Sequence, residues 1–261
     1  MPWIETLSPS FAARHELASA GEAVRLLESL EQLRERLAGL FPRAPGGLTV
    51  VLHASPASLT AANPLLPLKR LASSPAARRY VAGFAAGGEL HVLDAQALRS
   101  RASNVPGSRE MLALTAASLY ARAVVEACNR DLPSGWLALR RQMAELRWAW
   151  LLEGAARFFA GQTVYAQPAI ARRLREGGRP RFPPGPRDAL LLGGTVFDLL
   201  AQDRGEPAAA RLACRLHPQG AEAALRHAFR RPLAETEQRW RAHLARLAEA
   251  RPGQHALSAW A

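Results

Sequence analysis

The spacing of hydrophobic and polar positions changes part-way along this chain. Val24, Leu27, Leu30 and Leu33, with Leu26 and Leu37, recur at helical spacing with Glu and Arg between them. That pattern predicts an amphipathic helix over 22–40. Pro42, Pro45, Gly46 and Gly47 end it. Leu48 to His53 is a short apolar, β-branched run and predicts a strand. Arg79 to Phe84 and Glu89 to Leu93 predict two strands across a Gly87-Gly88 turn. Ser10 to Leu17 adds a further strand. The Ser-, Pro- and Ala-rich stretch 54–78 reads mostly as loop with one short helix.

After Asp94 the period is helical. Ser108 to Asn129 reads as one long helix, with Ser108 as its cap and Glu110 in its first turn, where the dipole favours an acid. Residues 138–160 form a second. Stretches 163–176, 187–203, 206–216, 219–229 and 232–249 read as further helices. Gly177 to Pro186, with four Pro and three Gly, is a loop. No internal repeat is visible. The expected fold is α+β and mainly helical: a small N-terminal sheet plus helix over 1–104, then a helical array over 105–261, in one continuous domain.

Composition changes this picture little. The 261 residues are 49% hydrophobic and 21% charged, which excludes a disordered chain. Net charge is 34 − 22 = +12, carried by 33 Arg and a single Lys, Lys69. Such a charge suits nucleic acid or another anionic partner. Codon bias is the plain alternative, because 53 Ala, 40 Leu and two Ile point the same way. The densest basic run holds Arg172, Arg173, Arg175, Arg179, Arg181 and Arg187 against Glu176, with Phe182 among them. It is a candidate for phosphate contact and base stacking, or a solvated helix end. Cys128 and Cys214 have no metal or redox spacing and read as two buried small hydrophobes. The first twenty residues carry Glu5, Arg14, His15 and Glu16, so no apolar leader is expected. The longest apolar stretch, Ala189 to Ala201, includes Gly193, Gly194 and Asp198 and is too short to span a bilayer. A soluble, cytoplasmic protein is expected.

One run carries a resemblance. Trp150-Leu151-Leu152-Glu153-Gly154-Ala155-Ala156-Arg157-Phe158-Phe159-Ala160-Gly161 resembles the second signature of gluzincin-type zinc metallopeptidases, the peptidase MA-like group. In that family the Glu of this run is the third zinc ligand. An upstream His-Glu-x-x-His helix supplies two zinc ligands and the general base. The matching stretch, Ser118-Leu119-Tyr120-Ala121-Arg122-Ala123-Val124-Val125, resembles His-Glu-x-x-His-Ala-Val-Val with each chemical residue replaced. Trp3 to His15, the helix at 22–40, Gly193 to Leu200 and Ala221 to Leu247 resemble the family's other elements. The resemblance implies a zincin-like fold.

It also implies loss of the chemistry. Ser118 is a poor neutral ligand, Leu119 cannot take a proton, and Arg122 has no acceptor. The seven His residues, His15, His53, His91, His217, His227, His243 and His255, contain no i, i+4 pair. No metal or cofactor is expected. Arg122 is placed to stand where a zinc ligand would be and to pair with Glu153, tying two helices together. A within-helix pair with Glu126 is the alternative. Trp148, Trp150, Phe158 and Phe159 read as core, Tyr120 and Tyr165 as structural, and Ser118 as lacking an activating base. The leading expectation is a catalytically inactive, metal-free binding or scaffolding protein, with a peptide or protein in the former cleft. An Arg-rich nucleic-acid binder and a hydrolase with relocated chemistry are the alternatives.

Overall fold

The computed structural model describes residues 3–129, 132 and 138–249. His255, and the ends of both expected segments, lie outside them. The first half builds a five-stranded sheet. Its strands are β1 (Ile4–Leu7), β2 (Phe11–His15), β3 (Leu48–His53), β4 (Gly83–Ala86) and β5 (Glu89–Leu93), in the order β1-β2-β3-β5-β4. The three central strands β2, β3 and β5 run parallel; β1 and β4 flank them antiparallel. A parallel neighbour needs a crossover, and α1 (Ala20–Ala38) supplies it between β2 and β3. Its buried stripe is Ala23, Leu27, Leu30 and Leu37, whereas Val24 is 45% exposed. The buried face is thus the one the leucine spacing implied, with Leu26 and Leu33 packed at its edge; only Val24 lies off it, and Ala23 takes its place.

Between β3 and β4 the loop expectation is corrected. Two helices occur, α2 (Pro56–Ala62) and α3 (Leu66–Ala72). Ser55 caps α2 by accepting from Ser58 N at 3.1 Å, with Pro56 at the first helical position. The strand expected from Arg79 begins only at Gly83, because Arg78–Tyr80 is a 3-10 turn. The β4–β5 turn has Gly87 and Gly88 at φ +60° and +82°, the conformation a two-residue hairpin turn requires.

The second half is helical: α4 (Ala95–Arg101), α5 (Ser108–Ala113), α6 (Thr115–Cys128), α7 (Ala138–Arg147), α8 (Ala149–Phe159), α9 (Gln162–Tyr165), α10 (Gln167–Arg175), α11 (Pro186–Arg204), α12 (Glu206–Ala213), α13 (Ala221–Phe229) and α14 (Leu233–Glu249). Three expected helices are each divided at one residue: Leu114 and Trp148 leave helical geometry, whereas Ala166 stays right-handed at φ −80° and ψ −10°. Hydrogen bonds still cross the breaks, as in Trp148 N to Ala144 O at 2.9 Å, so the hydrophobic period passes through undisturbed. Ser108 does not cap. Gly107 takes that position at φ +79°, and Ser108 Oγ accepts from Ser103 N. No helix among the described residues is long and apolar enough to cross a membrane.

The helices pack on the sheet around one continuous apolar cluster that runs from Phe11 through Tyr120 and Trp150 to Leu244. Within it α8 and α11 cross backbone to backbone. A Cβ on Gly154 would lie 2.5 Å from the Gly193 carbonyl carbon, and one on Gly193 would lie 2.8 Å from the Gly154 Cα. Alanine gains roughly 1 kcal/mol over glycine inside a helix. Overpacking against unyielding backbone costs more. Gly154→Ala and Gly193→Ala are each expected to destabilise by about 1–3 kcal/mol net in urea unfolding. Gly39→Ala, whose Cβ meets nothing closer than 3.5 Å, is expected to be neutral or slightly stabilising.

On the sheet face away from α1, His53 Nε2 and His91 Nδ1 lie 3.0 Å apart, and His91 Nε2 faces Glu89 at 3.2 Å. If His91 donates to Glu89, its Nδ1 accepts from His53. Burial first, and then the neighbouring histidine, lowers the His53 pKa; burial lowers that of His91 against the opposing pull of Glu89. The fold therefore favours the neutral rings. Stability is expected to hold above the ordinary His pKa of about 6.5 and to decline as pH falls below it. A His53→Gln/His91→Gln pair should flatten that slope in pH-dependent thermal unfolding.

Candidate functional site

α6 and α8 bring the residues of the resemblance together. On α6, Ser118, Leu119, Arg122 and Glu126 lie along one side at successive turns. On α8, Glu153 and Arg157 are one turn apart. With β4, α3 and α7 they line a cavity of about 200 Å³.

Glu153 is the hub. Its carboxylate accepts from Arg122 Nη1 at 2.5 Å and from Lys69 Nζ at 3.2 Å, with Arg157 Nη2 at 4.0 Å. Its side chain is only 13% exposed. Burial alone would raise its pKa, but Lys69, Arg122 and Arg157 outweigh burial and hold the carboxyl well below the usual carboxylate range. Arg122 pairs both ways: its Nε donates to Glu126 at 2.7 Å, and its Nη2 lies 3.4 Å from Glu145. Burial opposes its charge, yet Glu153, Glu126 and Glu145 together raise its pKa. Arg141 closes the ring by bonding Glu126 at 2.8 Å and Glu145 at 2.9 Å. Four cations thus face three carboxylates, leaving 4 − 3 = +1.

Arg157 is the least satisfied member. Nη1 donates to Gln162 Oε1 at 2.5 Å, and Gln162 is held in turn by Met111 O. Its Nε has no partner among the described residues. Burial lowers its pKa, aided by Arg122 and opposed by Glu153.

This donor set does not fit a divalent metal. The one carboxylate in place is consumed by cations, and a guanidinium occupies the space beside it. No group of three or more His, Cys, Asp or Glu that could hold a metal occurs among the described residues. Ser118 is buried at the cavity wall and Leu119 packs beside it. Buried His243 meets Asp198 at 2.8 Å, and its other ring nitrogen lies 3.4 Å from Arg246 Nη2.

The basic run is corrected in part. Arg173 is buried and forks onto Asp188 at 2.5 and 2.8 Å, also donating to Gly177 O, so it fastens the loop after α10 rather than meeting an anion. Phe182 packs on Trp240, ring centres 5.1 Å apart, and is not free to stack on a base. Arg172 pairs with Glu176 at 3.5 Å and, with Arg175, lines a shallow cavity beside Arg79. Arg179 and Arg181 are exposed. Trp148, Trp150 and Phe159 are buried core, and Tyr120 Oη donates to Pro45 O at 3.1 Å. Cys128 and Cys214, 86 positions apart, sit side by side; burial and the Cys128 neighbour push the Cys214 thiol up to about 12.

Sequence reasoning missed Lys69, Arg141, Glu145 and Arg157. Arg157 had a signal, four residues after Glu153 on one helix. Lys69 comes from a stretch read as loop, so no spacing could reach it.

Removing one partner of a buried pair strands the other. Glu153→Gln is expected to destabilise by about 2–4 kcal/mol, and a cycle with Arg122→Met should give a coupling of about 1–3 kcal/mol. A coupling near zero in denaturant unfolding would falsify the ion-pair assignment. Comparison of the chain with protein-family models, curated proteins and solved structures gives no match.

Proposed function

We propose that this chain is a metal-free relative of the peptidase MA-like metallopeptidases, zincin-like in fold, that binds an extended peptide without cleaving it. The observation that carries this reading is the Arg122 guanidinium bonded to Glu153, at the positions that the resemblance assigns to the second and third zinc ligands. With Leu119 at the general-base position, nothing there can activate a water.

The binding half rests on β4. Among the described residues it pairs only with β5, so its outer edge is open, and Gly83, Phe84 and Ala85 line the cavity. In the two-residue hairpin the bonded pairs alternate, which leaves the backbone groups of Gly83 and Ala85 facing outward. An added strand would satisfy them. Beside the cavity, α3 exposes Leu68 and Leu71 at 64% and 65%, an apolar stripe that a partner would cover. The single excess positive charge favours a peptide with one acidic side chain over the cavity.

The test is to incubate the protein with zinc, dialyse it, and measure metal content, peptide binding and peptide integrity together. Peptides are expected to bind and stay intact, with no stoichiometric zinc. Ala85→Pro, which removes an outward N–H, and Leu68→Ser should each weaken binding roughly tenfold. Stoichiometric zinc with cleavage, or binding indifferent to both substitutions, overturns the reading.

A further inference from the structure

We infer that the hollow between α11, α12 and α13 is a binding site for a small phosphoryl ligand, one that presents a diphosphate or two neighbouring phosphates. The cavity measures about 300 Å³. Arg204 from the end of α11, Arg211 from α12, Arg215 just beyond it and Arg230 from the end of α13 line it, with His217 and His227. The rest of the wall is alanine and leucine, and among the described residues no carboxylate belongs to it.

Three features set this cluster apart from scattered surface arginines. First, none of its four arginines has an ion-pair partner among the described residues, whereas the buried Arg173 is matched by Asp188 and Arg122 by Glu153. Four like charges around one hollow repel each other, and an anion with several oxygens would remove that repulsion while accepting paired N–H donors. Second, Arg204 is pre-positioned: its Nη1 donates to Ala228 O at 3.3 Å, which fixes the guanidinium across the α11–α13 gap. Third, Arg230 caps α13 in the left-handed region at φ +54°. Glycine is the unstrained residue at that position. Among the described residues no other non-glycine has positive φ. Strain of this kind persists where a side chain is needed in place.

The site is separate from the one formed by α6 and α8. Leu190 lines that cavity and Arg204 this one, 14 residues apart on α11. The separation is roughly 21 Å along the helix axis. The inference therefore does not rest on the peptide-binding reading. A mixed wall of guanidinium and alkyl groups, recessed between helices, suits a compact phosphorylated molecule better than a polymer backbone.

The experiment uses inorganic pyrophosphate as the probe, in calorimetry and thermal unfolding at physiological salt. Pyrophosphate is expected to bind one to one and raise the melting temperature. Arg230→Gly is the discriminating variant. It should raise the melting temperature of the unliganded protein, because strain and repulsion are both relieved, while weakening pyrophosphate binding about tenfold. Arg211→Ala, at an exposed position, should weaken binding comparably without disturbing the fold. An Arg172→Ala/Arg175→Ala control at the other basic hollow should leave binding unchanged. Vesicles containing a phosphoinositide are tested in parallel. Vesicle binding that pyrophosphate displaces makes a lipid headgroup the source of the phosphoryl group, and no vesicle binding makes the source a soluble molecule. The inference is overturned if pyrophosphate does not bind, if the control weakens it as much as Arg230→Gly does, or if a single-stranded oligonucleotide binds where pyrophosphate does not.

Discussion

The contact between Gly154 and Gly193 sets the position of everything around Glu153. Two helices normally keep their axes about 8–10 Å apart because side chains stand between them. Here two glycines meet and the α8 and α11 backbones touch. That contact fixes α8 in both rotation and height. The residue before Gly154 then has one direction available, towards α6 and the cavity. The Glu-Gly pair in the sequence is thus one device with two parts: the glycine brings the helix in, and the glutamate faces what lies across from it.

A carboxylate held there is nearly out of water, and alone it would be protonated or would destabilise the fold. Arg122, Lys69 and Arg157 reverse that preference from three different elements. Their excess over the carboxylates matters. A fully neutral cluster would need no further ligand, whereas this one keeps Arg157 with an unpartnered Nε. The ring of charges therefore ties α3, α6, α7 and α8 together and still leaves the cavity mildly attractive to an anion.

Local patterning carried most of the fold. β3 and the main helices follow from periodicity, because burial of one face leaves its mark at fixed intervals. The failures are equally physical. Val24 and Ala23 differ by one position on α1, and alanine buried against a sheet looks no different in sequence from alanine on a surface. α3 carries Leu68 and Leu71 outward, with Leu65 just before it also exposed, so this face imitates a core face. The breaks at Leu114, Trp148 and Ala166 keep their hydrogen bonds and leave no trace in the pattern. At the site, Arg122 and Glu153 could be brought together because a motif linked them across 31 positions. Lys69 and Arg141 could not, since only the tertiary fold brings α3 and α7 to that point.

The arginine excess resolves along the same line. A biased code can scatter arginines over a chain, but it cannot decide which of them meet acids. Where burial is deep the chain has matched Arg122 with Glu153 and Glu126 and Arg173 with Asp188, and Arg157 only in part. An unmatched arginine at those places would have cost several kcal/mol. On an open surface, matching is worth little and its absence means little. The hollow between α11 and α13 falls between these limits. Four arginines without an ion-pair partner among the described residues line it, and one of them occupies a left-handed backbone position that glycine would fill freely.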